Sequence, residues 1–149
     1  MAHEAPVERT RRRVLYICVG NSCRSQFAEA FSRQLAADVI EPASAGLYPF
    51  GRIAETTQSV GREFGLSFDG QWSKGFSDAD LSRADLIVNL SGIPEGSALE
   101  TETPVVDWEV DDPYGEDLAV YRRIAAEIEG KVRRLAAEFR SEGTRSDTA

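Results

Sequence analysis

At 149 residues, with 42% apolar and 28% charged side chains, the chain has the length and makeup of one ordinary globular domain. A formal charge of −8 argues against a role coating nucleic acid, and no apolar run reaches the roughly 18 residues of a membrane span. Two nearby cysteines, Cys18 and Cys23, are too few for a disulfide scaffold, and with the lone His3 they do not make a four-ligand zinc site, so no metal is expected.

Residues 1–12 and 141–149 are polar and aperiodic and read as flexible arms around a domain at 13–140. Arg11-Arg12-Arg13 before an apolar stretch faintly mimics a secretory leader, but the stretch is short and runs into Asn21-Ser22 without a cleavage pattern, which leaves the cytoplasm as the default compartment. Residues 14–18 form a continuous apolar run, the signature of a strand buried on both faces. Residues 26–37 switch to helical spacing, with Phe27, Ala30, Phe31 and Leu35 on one face. A weaker strand follows at 39–43, interrupted by Pro42. A short helix at 57–64 is ended by Gly65, and another at 77–84 has Ser77 and Asp78 as cap candidates. Strands are predicted at 86–90 and 104–108. Leu118, Tyr121, Ile124, Ile128, Val132, Leu135 and Phe139 mark a long amphipathic helix, with Gly130 inside it.

The order β-α-β-α-α-β-β-α with few hairpin signals predicts an α/β fold: a single-domain four-stranded parallel sheet with helices on both faces. In such folds ligands bind beyond the carboxyl ends of the strands. Two loops qualify, one at 18–25 and one at 108–117. The second lies within a run, 100–117, that holds eight acids and no base, so the rest of the chain is balanced in charge.

The first loop reads Cys18-Val19-Gly20-Asn21-Ser22-Cys23-Arg24-Ser25. A short loop closed by a helix start can turn its backbone N–H groups inward and bind a tetrahedral anion. Gly20 and Asn21 tolerate the left-handed dihedrals that such a curl needs. Arg24 offers a planar fork to two anion oxygens, and the same positive field favours a Cys18 thiolate as nucleophile. Ser25 either donates to that sulfur or caps the helix. A nucleotide-binding loop is excluded because no Gly-Lys-Ser/Thr closes it.

This loop, together with Ser44-Ala45-Gly46, Ser73-Lys74 and Asp112-Pro113-Tyr114, closely resembles the low-molecular-weight protein tyrosine phosphatases and the related arsenate reductases over nearly the whole chain. The resemblance implies that Cys18 attacks phosphorus and that Arg24 and the loop residues Val19, Gly20, Asn21, Ser22 and Cys23 hold the phosphate. It further implies that Ser25 assists the thiolate, that Ser44 holds Asn21, and that Asp112 is the proton donor. Neighbouring carboxylates would help a proton stay on Asp112, and Pro113 fixes its backbone. Tyr114 is expected on one wall of the mouth, and Tyr48 or Phe50 on the other.

The expected activity is hydrolysis of phosphate monoesters, of protein phosphotyrosine type, through a cysteinyl-phosphate and without a cofactor. The partner is then a phosphorylated protein or small phosphate monoester, with a monomer as the default state. Ser22 and Gln26 are closer to the reductase loop, and Ser22 also fits a phosphoarginine phosphatase. The alternative partners are therefore arsenate and a small thiol, because no cysteine follows Cys23 to relay electrons internally. Cys23 could instead bond Cys18 reversibly. Gln71 or Trp72 stands where some relatives carry a supporting His.

Overall fold

The computed structural model describes residues 11–94 and 99–148. Residues 1–10 of the predicted N-terminal arm, and residue 149, lie outside the described residues. The elements are β1 (Arg12–Cys18), α1 (Arg24–Leu35), β2 (Ile40–Gly46), α2 (Glu55–Glu63), α3 (Asp78–Arg83), β3 (Leu86–Asn89), β4 (Val105–Asp107) and α4 (Leu118–Thr148). All neighbouring strands pair in parallel, in the order β2-β1-β3-β4. This is the four-stranded parallel sheet expected from the sequence.

Alternation along β1 divides the core. Val14, Tyr16 and Cys18 face a cluster with Phe27 and Phe31 of α1, Val60 of α2, and Tyr121, Ile124, Ile128 and Val132 of α4. Leu15 and Ile17 face a smaller cluster with Leu81 of α3, Ile87 and Leu99. Each such large apolar side chain contributes about 1.5–3 kcal/mol on burial. The main core therefore lies on the α1/α4 face, and Cys18 emerges at its upper rim.

Several boundaries differ from the sequence reading. Arg12 belongs to β1, where its guanidinium stacks over the Phe139 ring at 4.8 Å and pairs with Glu142. Helical backbone runs on through Thr148, past the domain end expected at residue 140. Polar composition concealed both because the aliphatic stem of an arginine can pack while its head stays wet. β2 continues through Pro42 to Gly46, which is possible because β2 is an edge strand and needs hydrogen bonds on one side only. The start of α3 was legible: Ser77 Oγ accepts from Asp80 N and Asp80 returns the bond to Ser77 N, a capping box. Among the described residues no helix is long and apolar enough to cross a membrane.

The chain turns from β1 to β2 on one side and reaches β3 on the other. The crevice at this reversal lies above Cys18, between the ends of β1, β3 and β4.

Candidate active site

Residues 19–23 make the turn from β1 into α1. Their conformation follows from where the carbonyls go. Cys18 O accepts from Leu47 N (3.0 Å), Val19 O from Tyr48 N (2.8 Å) and Gly20 O from Phe50 N (2.9 Å). Asn21 O accepts from Gln26 Nε2 (3.1 Å), Ser22 O from Thr57 Oγ1 (2.9 Å) and Cys23 O from Phe27 N (3.0 Å). Every carbonyl of the loop is thus held by surrounding structure. The N–H groups of residues 19–23 find no protein acceptor among the described residues. Together with the N-terminus of α1 they form a nest suited to an anion.

Asn21 supplies the left-handed residue, at φ 50°. Gly20 does not adopt positive φ, contrary to the sequence expectation. Its lack of a side chain serves close approach instead: a Cβ there would lie 2.7 Å from the Phe50 ring.

Cys18 is buried and its Sγ lies 2.8 Å from Ser25 Oγ. Ser25 does not cap α1; it sits inside the helix, whose N-cap residue Cys23 makes no side-chain cap bond. Asn21 Nδ2 donates to Ser25 Oγ (2.7 Å) and to Ser44 Oγ (3.0 Å). Ser44 Oγ in turn donates to Glu29 Oε1 (2.6 Å), and the buried Glu29 carboxylate pairs with Arg33. The sequence marked Glu29 only as a helix residue; its burial is what sets it apart.

Arg24 is buried, at 4% exposure. Its Nη1 donates to Leu90 O (2.6 Å) and Val110 O (3.1 Å), the carbonyls that follow β3 and β4. Nε is buried without a partner, and Nη2 lies 3.7 Å from Asp112 Oδ2. One corner of the guanidinium is therefore anchored to the fold. The Nε–Nη2 edge is left to bind two oxygens of one anion.

Asp112 is half exposed at the rim, and its Oδ1 accepts from Tyr114 N (3.0 Å). All eight acids of the 100–117 run are exposed. The Phe50 and Tyr114 rings meet edge to face, 5.0 Å between centroids. They flank a small cleft that Cys18, Cys23, Arg24 and Asp112 also line. Tyr48 is 71% exposed and does not line it; Phe50 takes that wall. Beyond the ring pair lies a second pocket of about 500 Å³, lined by Ser22, Arg52, Glu55, Glu116 and Tyr121 among others.

Cys23 is buried with its Sγ 3.4 Å from Tyr121 Oη. Burial is the main cause that raises both the Cys23 thiol and the Tyr121 phenol above their ordinary values. Cys23 therefore stays protonated near neutral pH, unlike a second nucleophile.

The outer supports come from the segments that the resemblance singled out, Ser73-Lys74 and the Gln71–Trp72 region, though no role for Ser73 or Lys74 followed from it. Ser73 Oγ donates to Gly20 O (3.0 Å) and accepts from Gly51 N (3.0 Å). Lys74 N donates to Asn21 Oδ1 (2.9 Å), and Gln26 and Gln71 are both buried beneath the loop. Gln26, in the first turn of α1, is a further polar residue at an otherwise buried position.

Residues 13–145 match the family model described as low molecular weight phosphotyrosine protein phosphatase. The chain is 31% identical over 130 residues to a glutaredoxin arsenate reductase of Synechocystis sp., covering 86% of this chain and 98% of that protein. Its structure is similar to an arsenate reductase solved in the phosphate binding state, with TM-score 0.74, 31% identity and coverage of 86% and 98%. It is also similar to the low molecular weight protein tyrosine phosphatase of T. tengcongensis, with TM-score 0.72, 27% identity and coverage of 85% and 99%.

Proposed function

Because the chain belongs to the low molecular weight phosphotyrosine protein phosphatase family, we propose that it hydrolyses phosphate monoesters, of protein phosphotyrosine type, through a phosphoryl group carried on Cys18. The observation that carries this reading is the Nε–Nη2 edge of buried Arg24, its Nε without a partner and its Nη2 3.7 Å from the Asp112 carboxyl at the rim, beside a nest of unpaired N–H groups.

Cys18 Sγ attacks phosphorus, the P–S bond forms and the P–O bond to the leaving group breaks. The Arg24 edge and the loop amides hold the three remaining oxygens and take up the charge that develops on them. Ser25 donates to the sulfur whenever it is anionic. Asp112 gives its proton to the departing oxygen, a step worth about 10²–10⁴-fold. Asp112, now a carboxylate, then takes a proton from the water that attacks phosphorus and returns Cys18 as thiolate. No step calls for a metal or an organic cofactor.

The names of the similar proteins favour a second reading, arsenate reduction. Cys18 would bond arsenic as one arsenate oxygen leaves as water, and an external thiol would then attack the Cys18 sulfur, forming a mixed disulfide and releasing arsenite as arsenic takes the electron pair of the broken S–As bond. The thiol is external in this reading because no cysteine follows Cys23 and the Cys23 thiol itself is pushed up by burial. Hydrolysis of an aryl phosphate and of phosphoarginine, measured beside thiol-dependent arsenate reduction, separates the readings. The phosphatase predicts aryl phosphate turnover that Cys18→Ser abolishes and that Asp112→Asn slows most for poor leaving groups. Arsenate turnover supported by a small thiol, with neither phosphate substrate hydrolysed, overturns it.

A further inference from the structure

The chain has only two lysines, and each lies over one of its two tryptophan rings. Lys74 Nζ stands 4.6 Å from the centroid of the Trp72 ring and donates to Trp72 O at 3.0 Å. Carbonyl and ring together hold this amine on the wall of a cavity of about 480 Å³ between β1, β2, α3 and residues 72–75. The cavity shares no residue with the Cys18 cleft. Val14, Leu15, Pro42, Ala43, Ala45 and Ala84 give it apolar walls. Lys74 is half-buried, and burial is the main cause that lowers its ammonium below the ordinary value. Arg33 of α1 acts with burial, and Glu29 of α1 and Asp80 of α3 act against it. The other charged groups on the cavity are Arg13 of β1, Glu41 of β2 and Arg83 of α3. A desolvated lysine with more free base at neutral pH is the form that acts as a nucleophile.

An amine fixed beside apolar walls suits a substrate that sets its carbonyl carbon at Nζ and lays a short hydrocarbon chain in the cavity. Arg13 and Arg83 stand at the rim in exposed ion pairs of 3.8 and 3.3 Å to Glu41 and Asp80. Such pairs hold little energy, so an anionic leaving group can draw the cations to itself. We propose that Lys74 is an acyl-acceptor lysine, and that the cavity takes the short apolar chain of an activated acyl donor, an acyl phosphate or an acyl thioester. The Nζ lone pair adds to the carbonyl carbon. The bond from that carbon to phosphate oxygen or thiol sulfur then breaks with its electron pair, an amide forms, and the nitrogen's proton passes to solvent. The product carries no charge and lies behind the segment whose Ser73 Oγ and Lys74 N hold Gly20 O and Asn21 Oδ1. Neither the amine nor the cavity takes part in the reaction at Cys18.

Lys131, which does not line this cavity, is the internal reference. Acetyl and butyryl phosphate, and the acetyl and butyryl thioesters of one small thiol, are each incubated at neutral pH with the folded chain and with the chain unfolded in guanidinium chloride. Peptide mass spectrometry gives the ratio of acyl groups on Lys74 to those on Lys131, which cancels any donor consumed at Cys18. Folding should raise this ratio. Butyryl brings two more methylenes into the cavity than acetyl, each worth about fourfold in transfer to an apolar site, so the folded ratio should be about tenfold higher for butyryl. In the unfolded chain the two acyl lengths should give the same ratio. Ala43→Leu fills the cavity from the edge strand and should remove the preference for butyryl, and Ala43→Val serves as a milder variant if the Leu form folds poorly. A folded ratio that does not depend on acyl length, or that is no higher than the unfolded one, overturns the proposal. So does a preference for butyryl that survives intact in the folded Ala43 variant. Where the expected ratios appear with one class of donor and not the other, that class is the donor the site takes.

Discussion

Gly46 ends β2 directly beneath the anion loop, and replacing it with Ala tests how tightly that loop is held. A Cβ at Gly46 would lie 2.8 Å from both Asn21 N and Val19 O and 3.0 Å from Asn21 Cβ. Ordinary contact begins near 3.4 Å, so backbone must retreat by about 0.6 Å, and the retreating atoms are those that shape the nest. Overpacking of this kind costs about 1–3 kcal/mol. A displacement approaching 1 Å at a reacting centre can cost up to about 10²-fold in rate, so Gly46→Ala should lower kcat/KM by about tenfold or more. Gly20→Ala is the matched control. The three atoms nearest its Cβ all belong to the Phe50 ring, at 2.7 Å, and that ring is a side chain 49% exposed rather than backbone. It should stay within about 1 kcal/mol of wild type in urea unfolding and change mainly KM for bulky aryl phosphates. Hydrolysis of an aryl phosphate and urea denaturation read both variants. If Gly46→Ala keeps wild-type kcat/KM and stability, the loop is not held by the β2 terminus as argued.

Arg24→Lys should lower kcat/KM by about 10²–10⁴-fold, since a single ammonium replaces two charge-assisted bonds to the anion, and should also destabilise the fold by leaving Leu90 O or Val110 O unpaired; phosphate binding by calorimetry should weaken in parallel. Asp38 is held below the usual carboxylate range chiefly by its hydrogen bonds to Arg140. Because the folded value is the lower one, this pair stabilises the fold above the unfolded Asp value of about 3.9 and loses that contribution as pH falls through the folded value. Both groups are about half exposed, so the contribution is about 0.5 kcal/mol, and the urea stability gap between wild type and Asp38→Asn should be present at neutral pH and close in acid.

Much of this molecule was legible in its sequence, for local reasons. The apolar run at 14–18 required a strand buried on both faces, and β1 occupies the middle of the sheet. Cys18, Arg24 and Ser25 were placed by a strand–loop–helix pattern whose geometry is set by a few backbone turns. What was hidden depends on partners distant in the chain. The Gln26–Gln71 contact joins residues on separate segments, and the resemblance marks the Gln71–Trp72 region without pairing it to Gln26. Gly20 was read for its dihedral freedom, whereas its role depends on Phe50, which arrives from beyond β2. Tyr48 and Phe50 were equivalent as aromatics after β2; the bond from Phe50 N to Gly20 O helps fix which ring reaches the cleft. The acidic run proved to be exposed throughout, and only Asp112 among its carboxylates pairs with Arg24.

The central claim is that Cys18 carries the phosphoryl group. Rapid acid quenching of the enzyme during turnover of an aryl phosphate, followed by peptide mass spectrometry, tests it directly. The account predicts a phosphoryl adduct on the Cys18 peptide, at a level that rises with the leaving ability of the aryl group and is absent in Cys18→Ser. Turnover at the wild-type rate in Cys18→Ser, or an adduct confined to another residue, would contradict it.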